Sequence, residues 1–154
     1  MYQPFALLPD DQRALMIAGF EAQFGPDGGL PPSFTVMRGE FLEFNPEARR
    51  MRVRFPVLED WLNPYGTMQG GFVAAAIDNV IGPLGALLAP PNVTRTLELK
   101  YSRPITVEMG FFIVTARLVE RADPWLIFKV EVHDLPGNRL VRATCKQWIL
   151  PPSE

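Results

Sequence analysis

The chain has almost none of the two side chains on which many small enzymes and secreted domains rely. Its 154 residues include one histidine, His133, and one cysteine, Cys145. One cysteine excludes an intrachain disulfide and points to a reducing compartment, so a cytoplasmic location is expected. One histidine excludes a multi-histidine metal site and leaves little to build a Ser-His-Asp device from. No metal and no bound cofactor are expected. An excess of positive charge is also missing: the net charge is −2. Phosphate binding wants a basic face, so no nucleic-acid partner is expected. The first residues, "MYQPFALLPDDQR", lack the basic leader and apolar core of a signal peptide.

One long apolar run is present, "GGFVAAAIDNVIGPLGALLA". As a helix it is about long enough to cross a bilayer. It carries Asp78, Asn79 and Pro83 in its middle and has no basic anchors at its ends, so no membrane span is expected. A helix that is apolar on all sides is otherwise one wrapped by protein. The hydrophobic share of 47% is enough to build such a core within one domain, taken as residues 1–154.

Residues 10–24 place Leu15, Ile17, Ala18, Phe20 and Phe24 at helical spacing behind Asp10 and Asp11, which predicts an N-terminal helix. "GPDGGLPP" breaks it. Residues 33–44 and 49–57 are expected to pair as strands across "NPEA". In the second, Met51, Val53 and Phe55 alternate with Arg50, Arg52 and Arg54. That arginine row is the wet face of a sheet on the ordinary reading, and a phosphate grip on the other. Strands are expected over 93–103, 110–121, 125–134 and 139–149, with "DLPGNR" turning the last hairpin. His133 falls on an outward face. Trp125, Ile127, Phe111 and Ile113 also face outward, which suggests a partner subunit. An antiparallel sheet curled around the long apolar helix satisfies every element, an α+β architecture.

The stretch "NPYGTMQGGFVAAAID", residues 63–78, carries the chemistry. Gly70 and Gly71 open the helix, where free N–H groups point at negative charge and glycine lets a ligand come close. Such amides can form an oxyanion hole, and they can equally be a plain helix start. Asp78 lies about two turns further on, on the face of Gly71, Ala74, Ala75 and Gly82. A carboxylate among such small neighbours is either a structural cap or a general base or nucleophile.

The pattern N-x-x-G-T-x-Q-G-G followed by an Asp, with "LELKYSRP" in the next strand, resembles the hotdog-fold acyl-CoA thioesterases of the phenylacetyl-CoA and 4-hydroxybenzoyl-CoA type. The likeness spans residues 33–150, which the resemblance makes the hotdog core. It implies a curved sheet around a central helix and a homodimer or dimer of dimers. It also implies a site between protomers: Asn63, Gln69 and the glycines from one chain, Asp78 from the other. The N–H of Gly70 or Gly71 would polarise the thioester carbonyl, and Asp78 would activate water or attack directly. Thr94 would hold the water, and Arg103 would lie near the CoA nucleotide. The departure from the family is Gln69 in place of its usual histidine. Glutamine does not titrate near neutral pH, though it still donates and accepts hydrogen bonds. The expected activity is acyl-CoA hydrolysis. The alternatives are a non-catalytic protein binding acyl-CoA or another apolar ligand, and a hydratase of the same fold.

Overall fold

A computed structural model describes residues 1–153; Glu154, the last residue of the expected domain, lies outside them. The elements run α1 (Asp10–Phe24), α2 (Pro32–Val36), β1 (Glu40–Asn45), β2 (Arg50–Pro56), α3 (Gly70–Leu88), β3 (Asn92–Tyr101), β4 (Phe111–Ala122), β5 (Trp125–Asp134) and β6 (Arg139–Ile149). The six strands form one sheet in the order β1-β2-β4-β5-β6-β3, with every neighbouring pair antiparallel. Its inner face is the alternating set expected from the sequence. Met51, Val53 and Phe55 of β2, and Leu126, Phe128, Val130 and Val132 of β5, are all buried. They share one core with Val73, Ile77, Val80, Ile81 and Leu84 of α3. Burying a side chain of this size contributes roughly 2 kcal/mol, and this helix face supplies several. The helix is therefore half sheathed by the sheet, which is the expected hotdog-type arrangement with an added N-terminal helix. By length and composition alone α3 could cross a membrane, but half of it is buried inside this core.

The strand expected over 33–44 is corrected. Only Glu40–Asn45 is a strand, and Pro32–Val36 is a short helix. Proline at its N-terminus is pre-set for a helical turn. Phe34 then plugs the end of the sheet. Its ring stacks on Phe41 at 4.8 Å and meets Phe55 edge-on at 5.8 Å. Arg38, at φ 54°, reverses the chain into β1. Gly39 has no room for a side chain, because a Cβ there would meet the Phe55 and Phe34 rings at 2.6 and 2.7 Å. The buried face of α1 is also rotated from expectation. Met16 and Phe20 are buried, while Leu15, Ile17 and Phe24 are exposed.

The arginine row takes its ordinary reading. Arg54 pairs with Glu40 at 2.7 Å and Arg50 with Glu43 at 2.7 Å, so neighbouring strand β1 neutralises both. Arg54 also lies over the Phe111 ring at 4.5 Å, and Trp125 packs edge-on against Trp148 at 4.7 Å. Part of the outward apolar face is thus covered by the chain itself. His133 is on that outer face, 3.7 Å from Glu131.

Buried Asp134 ties the β5–β6 turn. Its carboxylate accepts from the side chain of Asn138 at 2.9 Å and from the backbone N–H of Gly137 and Asn138 at 2.9 and 2.7 Å. Led by the Asn138 side chain, these bonds hold its pKa below the ordinary carboxylate value. A carboxylate with a depressed folded pKa stabilises the fold above its unfolded pKa, and that stability is lost as pH falls through the folded value. In calorimetry from neutral pH downward, Asp134→Ala is expected to start from a lower Tm. It is then expected to lose less Tm than the wild type below about pH 4. Parallel curves for the two proteins would rule out this role for the turn.

Candidate functional site

Two groups of residues gather on the exposed side of α3, one at its N-terminus and one around its middle. The first is its N-terminus. The loop that leads there is organised by Asn63, whose Oδ1 accepts from the N–H of Tyr65 and Thr67 at 2.9 and 3.2 Å. The Asn63 Nδ2 donates to Thr67 Oγ1 at 2.9 Å. Asn63 is therefore engaged within its own loop, and Gly66, at φ 79°, completes the turn. Buried Trp61 stacks on Phe72 with centroids 5.3 Å apart, and the Gln69 N–H donates to the Trp61 carbonyl at 2.8 Å. These interactions fix where the helix begins.

Gln69 precedes the first helical residue, and its exposed side chain makes no capping bond. Tyr101 Oη donates to the Gly70 carbonyl at 2.7 Å, and burial raises the phenol pKa. A Cβ at Gly70 would press on that phenol at 3.2 Å, whereas Gly71 faces open space. The first amides of a helix have no intrahelical acceptor. Among the described residues the Gly70 and Gly71 N–H groups have no other one either. Arg103 shares a shallow depression with Thr67, Gly70 and Tyr101, so it belongs to this end of the helix.

The second group surrounds Asp78. Its carboxylate is exposed in the single chain, and its Oδ1 accepts from Thr94 Oγ1 at 2.9 Å. Thr94 Oγ1 in turn accepts from Gln147 Nε2 at 3.3 Å. All three line a cavity of about 560 Å³ between α1, the second half of α3 and the start of β3. Among the described residues Asp78 is the only charged one in its lining. Phe20, Phe24, Pro83, Val93 and Leu150 supply apolar walls, and Asn79 and Ser33 join them. The helix runs on through Pro83 to Leu88.

Asp78 and Thr94 are thus brought together, while Asn63, Gln69, Gly70, Gly71 and Arg103 gather elsewhere. Eight residues of helix separate Gly70 from Asp78, about 12 Å along the axis at 1.5 Å per residue. A carbonyl in reaction needs its donors and its attacking group within about 3–3.5 Å. Along one helix the two groups are offset by more than that.

Four side chains of the cavity were not read from the sequence as site residues: Asn79, Phe20, Phe24 and Gln147. Asn79 is buried in the cavity wall and accepts from Ser33 Oγ at 3.0 Å. Phe20 and Phe24 bring α1 to the cavity; nothing in an amphipathic pattern says what its apolar face covers. Gln147 did leave a signal, as the one polar residue in the alternating row Val141, Ala143, Cys145, Gln147 of β6. Cys145 beside it is buried, and burial pushes its thiol pKa up to about 11. It is an inert thiol at neutral pH.

No family model matches the chain. A Saccharolobus solfataricus protein provisionally named an esterase is 27% identical over 109 residues, 69% of this chain and 76% of its own length. Among solved structures, the Escherichia coli PaaI protein of the phenylacetic acid degradation operon superposes with a TM-score of 0.75 at 12% identity. The superposition covers 92% of this chain and 98% of that one. A hypothetical thioesterase of Streptococcus pneumoniae, solved with coenzyme A, superposes with a TM-score of 0.68 at 17% identity, over 75% of this chain and 88% of its own. Two variants of that protein replace a Thr and an Asp sixteen positions apart, the separation of Asp78 and Thr94 here. These likenesses establish the fold.

Proposed function

We propose that this hotdog-fold chain is a thioester hydrolase acting on acyl-CoA. The observation that carries the reading is the Asp78 carboxylate, held by Thr94 as the sole charge among the described residues that line a largely apolar cavity. A carboxylate so placed can take a proton from attacking water, or can itself attack the acyl carbon. The charge that develops on the carbonyl oxygen needs preorganised donors, and the free amides at the start of α3 are of that kind. The carbon–sulfur bond then breaks. On the general-base route the proton that Asp78 took from water passes to the sulfur and CoA leaves as a thiol. On the nucleophilic route the thiolate takes a proton from solvent, and water hydrolyses the acyl–Asp78 anhydride to carboxylate and free Asp78. The helical rise of about 12 Å between Gly70 and Asp78 supports a site in which the amides of one protomer face the carboxylate of another. The outer edge of β3 is unpaired in the single chain, which leaves a strand free to join two sheets. The coenzyme A on the pneumococcal structure supports the CoA moiety, and Arg103 at the amide end is a candidate partner for its phosphates.

Incubating the protein with short, long and aromatic acyl-CoAs and a thiol reagent tests the reading. Release of CoA thiol is the expected result, and the inert Cys145 keeps the background low. A second reading, an acyl-CoA-binding protein without turnover, is favoured by Gln69, which offers no titratable ring at the amide end. Binding without thiol release selects that reading.

The cavity beside Asp78 is the proposed acyl site. Gly82 lines it, and a Cβ there would meet no atom within 4 Å. Gly82→Leu therefore fills the cavity without straining the helix. Its kcat/KM for long or aromatic acyl-CoAs is expected to fall about tenfold or more, while that for acetyl-CoA stays within about twofold. Equal losses on all chain lengths would remove the acyl group from this cavity.

A further inference from the structure

Strand β6 turns Val141, Ala143, Cys145 and Gln147 to the core side of the sheet, and Gln147 is the polar member of the row. It is 2% exposed, and its Oε1 has no donor among the described residues. An unpaired buried carbonyl destabilises a fold, and an apolar side chain of the same length would carry no such penalty. The neighbouring turn of α3 makes room for it. A Cβ at Gly85 would meet Gln147 Oε1 and Asn92 Oδ1, each at 2.6 Å. Glycine inside a helix is itself unfavourable relative to alanine. The chain thus accepts two local penalties that keep an amide at this place.

The use of that amide is visible in the direction of its bonds. Gln147 Nε2 donates to Thr94 Oγ1, which occupies a lone pair of the hydroxyl. The single proton of Thr94 then goes to Asp78 Oδ1. An exposed aspartate without such a bond samples several rotamers. With it, one oxygen is tied to β3 and the other is left to the reaction. An oxygen in place of the Gln147 nitrogen would compete with Asp78 for the same proton.

We propose that Gln147 is a positioning residue: it acts through Thr94 to aim the Asp78 carboxylate. This rests on the thioesterase reading above. The test is a mutant cycle with Gln147→Leu, and with Gln147→Met as the length-matched variant should the branched side chain disturb packing. Each is made in the wild type, in Thr94→Ser and in Thr94→Val. In the wild type kcat is expected to fall about tenfold while KM stays within about twofold, because the reacting group is misplaced while substrate binding is intact. Tm is expected to hold or rise, since the unpaired carbonyl is gone. The same loss is expected with Thr94→Ser, which keeps the hydroxyl. No further loss is expected with Thr94→Val, which has already removed it. Losses that multiply in the Thr94→Val background, an unchanged kcat, or a change confined to KM would each overturn the proposal. In those cases the wild type still releases thiol. A wild type that hydrolyses no acyl-CoA overturns the parent reading instead, and this proposal with it.

Discussion

Asp78→Asn is expected to lower turnover of the preferred acyl-CoA by about a hundredfold or more, the scale on which a positioned acid or base contributes. The substitution isolates the chemistry. Asparagine has the same shape and keeps an oxygen for the Thr94 hydroxyl, which lies 2.9 Å from Asp78 Oδ1. Asp78 is on the exposed face of α3, away from the core that Ile77, Val80 and Ile81 form on the other side. Tm is therefore expected to change little, as surface substitutions usually do. What the variant loses is the ability to accept a proton or to attack carbon. Full turnover in a folded Asp78→Asn protein would remove Asp78 from the mechanism, and with it the main support for hydrolysis.

The second large effect concerns where the oxyanion donor comes from. Gly71→Pro removes one of the free N–H groups at the start of α3. Proline is tolerated in the first helical turn, and a Cβ at Gly71 meets no atom within 4 Å. Loss of one oxyanion donor is worth about a hundredfold or more in kcat. Alone, Gly71→Pro and Asp78→Asn chains are therefore both expected to be nearly inactive. Mixed by unfolding and refolding together, they should recover about a quarter of wild-type activity. Half of the random pairs in a two-fold dimer are hybrids, and each hybrid holds one site with both wild-type parts. Recovery follows only if the amide of one chain meets the carboxylate of another. A mixture as inactive as its components would place both parts in one chain, against the 12 Å that the helix puts between them.

Much of this architecture is legible along the chain, for a physical reason. Side chains that alternate along Arg50–Pro56 and Trp125–Asp134 must put one set inside, so the sheet's two faces follow from period two alone. The glycine pair, the helix and Asp78 likewise sit at fixed distances set by helical rise. Local pattern misleads where packing competes with it. The apolar "SFTVM" suits a strand, but the proline before it and the slot between Phe41 and Phe55 make it a helical turn. The bonds that Asn63 makes within its own loop are likewise visible only in the folded chain.

The curled sheet, the sheathed helix, and a carboxylate that shares one exposed helical face with free amides are all written in the order of residues. They depend on periodicity and on rise per residue, which are local. What surrounds that carboxylate is settled only once the chain is folded. Gln147 reaches Thr94 across 53 positions of sequence, and α1 closes the cavity from the far end of the chain. Such meetings are made by the curvature of the sheet and the order of its strands, and no short stretch of residues encodes either.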